Sequence, residues 1–93
     1  MLEKDIEEYL RLQVKSIGGK AYKFVSPGNA GVPDRLVCLP GGEVTFVELK
    51  ATGKKSTPLQ TKRQAELKKL GFAVFVVDSK ARVDELMQNL IRD

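Results

Sequence analysis

The chain contains no histidine and no tryptophan, and it has a single cysteine, Cys38. Without histidine there is no His-centred triad, no histidine-metal nuclease motif and no Cys/His zinc site. Acid–base or metal chemistry has to come from carboxylates, lysines and water. One cysteine cannot close an internal disulfide. Cys38 stands in an apolar run and reads as a small buried hydrophobe. Apolar runs are short throughout the sequence, which excludes a membrane-spanning helix. The opening MLEKDIEEYL is charged from Glu3 onward, unlike a signal peptide. These absences point to the cytoplasm or the nucleoid within it, with no membrane partner.

Length and composition bound the rest. Ninety-three residues fit one domain, 1–93, with a thin margin of stability. Hydrophobic residues make up 42% and charged residues 30%, as in an ordinary globular chain rather than a disordered one. Sixteen Lys+Arg against 12 Asp+Glu leave a net charge of +4. A basic surface suits a polyanion, because cations displace the counterions condensed on phosphates.

Leu2, Ile6, Leu10, Val14 and Ile17 recur at helical spacing, and Gly18-Gly19 ends the stripe. Residues 21–25 (AYKFV) are β-prone, and the Ser, Pro, Gly and Asn of 26–33 (SPGNAGVP) make a loop. Segments 35–39 and 43–50 flank Pro40-Gly41-Gly42 and read as a β-hairpin. Thr57-Pro58 starts a second helix, with Leu59, Arg63, Glu66, Leu67 and Leu70 on or near one face and Gly71 as its stop. The apolar run 72–78 predicts a strand buried on both faces and paired in parallel. Ser79 caps a last helix whose apolar face holds Val83, Leu86, Met87, Leu90 and Ile91, as core or as interface. The expected order is αβββαβα, with a four-stranded mixed sheet flanked by helices.

Chemistry concentrates at one end of the predicted hairpin. Asp34 opens its first strand, and Glu48 and Lys50 close its second. Alternation sends Glu48 and Lys50 to one face and Leu49 to the other. Counting outward from the turn brings Asp34 beside them. Two carboxylates can hold a hard divalent cation, Mg²⁺ or Mn²⁺, through oxygen. A lysine ammonium beside them can orient a water or stabilise developing charge. Together they are sufficient for phosphodiester hydrolysis without histidine.

Pro33-Asp34, thirteen residues, then Glu48-Leu49-Lys50 matches the PD-(D/E)xK nuclease pattern. GVPDRL (31–36), FVELK (46–50) and PLQ (58–60) resemble more closely its VRR-NUC branch, across nearly the whole chain. That branch includes small stand-alone phage and bacterial proteins. The resemblance implies a restriction-endonuclease-like α/β core and an acidic ligand on the first helix. Glu3 is favoured for that ligand because LEKDIEEYL resembles the helix-one motif of archaeal junction resolvases, with Glu7 second. It also implies Gln60 as a positioning residue and the Leu49 carbonyl as a metal ligand.

The expected activity is metal-dependent endonucleolytic cleavage of DNA. By analogy with the family, the substrate is branched, Holliday junctions foremost, and the enzyme a homodimer. Alternatives on the same fold are a non-catalytic DNA-binding or assembly module, and a nuclease of flaps, nicks or RNA. For DNA contact, Lys54 and Lys55 are the leading candidates, followed by Ser26 and Asn29 of the Gly-rich loop and Arg35. Lys20, Lys23, Lys62 and Arg63 are further candidates for a phosphate track.

Overall fold

A computed structural model describes residues 1–91, all but the last two positions of the expected domain. Its elements run α1 (Glu3–Ser16), β1 (Lys20–Lys23), β2 (Arg35–Cys38), β3 (Val44–Leu49), α2 (Pro58–Lys69), β4 (Ala73–Val77) and α3 (Lys80–Leu90). The four strands form one mixed sheet in the order β1-β2-β3-β4. β1–β2 and β2–β3 are antiparallel and β3–β4 is parallel. This is the αβββαβα restriction-endonuclease-like core that the sequence predicts.

The main core lies on the face covered by α1 and α3. Ile6, Leu10 and Val14 from α1 meet Val37, Val47, Leu49 and Val77 from the strands and Val83, Leu86 and Met87 from α3. The last helix thus spends Leu86 and Met87 on the core, while Ile91 beyond it is exposed. The turn between β2 and β3 needs its glycines. Gly41 (φ 89) and Gly42 (φ 86) both adopt the left-handed region, which costs other residues energy.

α2 covers the opposite face, and the sequence expectation for it needs correction. Leu59 is 42% exposed and Leu70 74%. The only buried residue of α2 is Gln64, whose Nε2 donates to Ser56 Oγ at 3.0 Å. The face is filled instead by aromatics beneath the helix, with Phe24, Phe46 and Phe72 stacked at ring-centroid separations of 5.4 Å. β4 is also corrected. It is parallel to β3 as expected, but it is an edge strand with Ala73 and Val76 exposed, not a strand buried on both sides. A short apolar run does not encode its position in the sheet. Cys38 is only partly buried.

Candidate active site

Strand register builds the site. Arg35 pairs with Val47 across β2–β3, so the next pair outward sets Asp34 beside Glu48. Asp34 Oδ2 accepts a hydrogen bond from the Leu49 N–H at 2.8 Å. Lys50 follows β3 directly and its N–H donates to Val77 O at 3.0 Å. The alternation predicted for residues 48–50 therefore becomes a sheet end with carboxylates on one face and Leu49 in the core on the other.

Glu48 is 1% exposed, an unfavourable place for a carboxylate unless it is paired. Its Oε2 accepts from Gln60 Nε2 at 3.2 Å. Its Oε1 is buried without a hydrogen-bond partner. Burial above all, then the hydrogen bond and charge of Asp34, push the Glu48 carboxyl up to about 8, against the pull of Lys50. As a carboxylic acid, Glu48 can donate its proton to Asp34. As a carboxylate, it leaves Oε1 with nothing. At neutral pH the buried Glu48 carboxyl therefore keeps its proton.

The same forces separate Glu3 from Glu7. Glu3 is raised by burial first and then by the Asp34 charge, with Lys50 opposing, so it lies within electrostatic reach of the site. Glu7 is engaged elsewhere, its Oε2 2.8 Å from Arg35 Nη2. The start of α1 is tied to the segment after Lys50 by the Thr52 N–H donating to Met1 O at 3.2 Å. Even so, among the described residues no three acidic side chains close around one point. Asp34 and Glu48 are the close pair and Glu3 stands off from them.

Gln60 joins the site to the cap of α2. Thr57 Oγ1 accepts from the Gln60 N–H at 3.2 Å, and Gln60 Oε1 accepts from the Thr57 N–H at 2.9 Å. This is a capping box. The other end of the same side-chain amide reaches Glu48, so both its orientation and its position are fixed. The T-x-x-Q spacing of Thr57 and Gln60 carried this signal in the sequence, and a reading that stopped at Thr57-Pro58 missed it.

The other candidate contacts divide. Arg35 does not point outward. It is 8% exposed and donates to Ala21 O (2.7 Å) and Glu7 Oε2 (2.9 Å). As the residue after Asp34 it projects to the opposite face, and its guanidinium is consumed in holding α1 to the sheet. Ser26 is half-buried and Asn29 exposed, and Asn29 Nδ2 donates to Ser26 Oγ at 3.0 Å. Their loop is pinned to α2 by Arg63 Nε donating to Ala30 O at 3.0 Å. Gly31 (φ +91) completes the contact, where a Cβ would stand 2.8 Å from Leu59 Cγ. Lys54 and Lys55 are exposed in the loop leading away from Lys50.

Two adjacent carboxyls, one with an unpartnered buried oxygen, form a donor set of hard oxygens suited to a divalent cation. A cleft of about 520 Å³ lies away from this site, between α1 and β1. The carboxylates nevertheless mark the chemistry, because a reactive centre is set by its functional groups and not by cleft size.

No family model matches the chain. It is 57% identical over 77 residues, 83% of this chain and 83% of the other, to a phage protein named "Putative nuclease p44" from Acyrthosiphon pisum secondary endosymbiont phage 1. A solved structure described as a VRR_NUC domain superposes with a TM-score of 0.87 at 36% identity, covering 92% of this chain and 94% of that one.

Proposed function

The chain belongs to the VRR-NUC family, and from that premise we propose that it is a metal-dependent DNA endonuclease acting on branched DNA as a homodimer. The observation that carries this reading is Glu48 Oε1, buried without a partner beside Asp34. A binding module has no use for such a costly arrangement, whereas a cation would complete it.

Asp34 and Glu48 would hold Mg²⁺ or Mn²⁺, with the Leu49 carbonyl as a further ligand and Glu3 acting through water. The bound ion supplies polarisation of a phosphoryl oxygen and a lowered pKa for water. The protein does the rest. Gln60 fixes the Glu48 carboxylate through Nε2. The Leu49 N–H fixes Asp34. Lys50 places a positive charge where the pentavalent phosphorus gathers negative charge, and orients the attacking water. Hydrolysis forms one P–O bond to the water oxygen and breaks the P–O bond to the leaving sugar oxygen, which takes up a proton.

Holliday junctions are the preferred substrate in this reading, because a dimer of so small a chain presents two such sites to two strands. The test is cleavage of a labelled four-way junction and a matched linear duplex with Mg²⁺, Mn²⁺ or EDTA, by wild type and Lys50→Ala. Symmetric, metal-dependent cuts confined to the junction and absent in Lys50→Ala are expected. Equal cutting of both substrates would refute the junction preference. Binding without cutting in either metal would refute the enzyme in favour of a DNA-binding module.

A further inference from the structure

The cleft between α1 and β1 has a chemistry of its own. It is lined by Arg11, Lys15, Lys20, Lys23 and Arg35, with Gly19, Ala21 and Tyr22 completing it. Two of these cations are already neutralised, Arg11 by Glu8 and Arg35 by Glu7. Among the described residues Lys15, Lys20 and Lys23 make no salt bridge. Among the described residues no acidic side chain lines the cleft.

Its position relates it to the carboxylates. Lys23 pairs with Arg35 and Lys20 with Cys38, and the Phe24 N–H donates to Asp34 O at 2.8 Å. The cleft therefore begins beside Arg35, which faces away from Asp34, and follows the β1 edge toward Gly19, with Lys23 on the α1 face and Lys20 and Tyr22 turned to the other. Four residues of strand span roughly 10 Å, enough to meet neighbouring phosphates of one strand. Tyr22 is 48% exposed here, with Lys20 Nζ 4.7 Å from its ring centroid. An aromatic face beside a row of cations is the pairing that holds unpaired nucleotides, base on ring and phosphate on ammonium.

We propose that the α1–β1 cleft, apart from the Asp34–Glu48 centre, binds an unpaired DNA strand through Lys15, Lys20, Lys23 and Tyr22, which adds tailed or flapped branches to the substrates the protein can hold. This rests on the nuclease reading for its biological sense but not for its test. Binding is measured by fluorescence anisotropy in the Lys50→Ala background without metal, so that no cutting is required. The probes are a blunt duplex and the same duplex with a single-stranded tail. The Lys15→Gln/Lys20→Gln/Lys23→Gln variant changes exposed side chains only. It is expected to lose about tenfold or more in affinity for the tailed probe, with the slope of log K against log salt shallower by about 2, and to bind the blunt duplex within about twofold of the parent. Tyr22→Ala, which keeps every charge, is expected to weaken the tailed probe alone, by about fivefold or more. Equal losses on both probes would overturn the proposal in favour of a general phosphate surface, and unchanged binding of the tailed probe would overturn it outright. A protein that cuts no substrate but shows the selective loss refutes the nuclease reading and keeps this one.

Discussion

Replacing Glu48 with glutamine should make the metal-free protein more stable at alkaline pH while destroying its activity. In the fold the Glu48 carboxyl is pushed up to about 8 from an ordinary value of 4.5. A carboxyl raised in this way favours the folded state by holding its proton. That contribution is full below the unfolded value and is lost as pH rises through the folded one. Between pH 6 and pH 9 the loss is about 2–3 kcal/mol. For a domain of this size that lowers Tm by roughly 10–20 °C. The chain has no histidine, the side chain that ordinarily titrates between pH 5 and 8, so this slope has few competitors.

The assay is thermal and urea denaturation followed by circular dichroism in EDTA, from pH 6 to pH 9. Wild type should weaken across the range, and Glu48→Gln should stay nearly flat and be the more stable of the two at pH 9. Millimolar Mg²⁺ should restore wild type at pH 9 and leave the variant unmoved, since a cation takes the place of the Glu48 proton and glutamine cannot hold it. A flat wild-type profile, or the same slope in both proteins, would refute the argument that a buried, protonated Glu48 carboxyl lies at the sheet end.

Gln60→Leu removes both the capping box and the hydrogen bond to Glu48. It should cost about 1–2 kcal/mol in urea denaturation and weaken metal affinity by about 10–100-fold in a calorimetric titration. Gly31→Ala places a Cβ against Leu59 in a backbone conformation that alanine resists, and should cost about 2 kcal/mol or more by the same denaturation. Arg35→Met leaves the half-buried Glu7 carboxylate and the Ala21 carbonyl without their partner. The expected loss is about 1–3 kcal/mol, part of it recovered when Glu7→Gln is added.

Much of the fold was legible because it depends on local periodicity. The 3.6-residue stripe of Ile6, Leu10 and Val14 and the glycines of the hairpin turn each specify their element without reference to the rest of the chain. The errors fell where the answer is set by neighbours. Residues 73–77 carry no mark of lying at a sheet edge, and α2 shows little apolar face because aromatics from the strands fill the space under it. At the site, Asp34, Glu48 and Lys50 could be placed by counting from the turn. The inward course of Arg35 was readable from the same alternation and was missed because a basic residue beside an acidic centre invites a phosphate. Helical spacing puts Glu3 and Glu7 on one face, one turn apart, and the preference for Glu3 rested on the resemblance alone. Only the partner on β2 divides them.

That division shows how one sheet end serves two purposes. Consecutive residues of an extended chain face opposite ways, so Asp34-Arg35 sends a carboxylate to the α2 face and a guanidinium to the α1 face. Glu48-Leu49-Lys50 repeats the pattern, with carboxylate and ammonium on one side of a core leucine. Each polar group at the site is thus one residue from a group that anchors the fold, Arg35 to Glu7 or Leu49 to the core. The strands alone set Asp34 beside Glu48, and α2 adds only the Gln60 amide that holds Glu48 in place. The same economy makes register decisive. A slip of one residue in β2 against β3 would turn Asp34 into the core and Arg35 onto Glu48. The positive-φ turn at Gly41-Gly42 fixes that register, and it is as much a part of the proposed site as the acids at the far end of the hairpin.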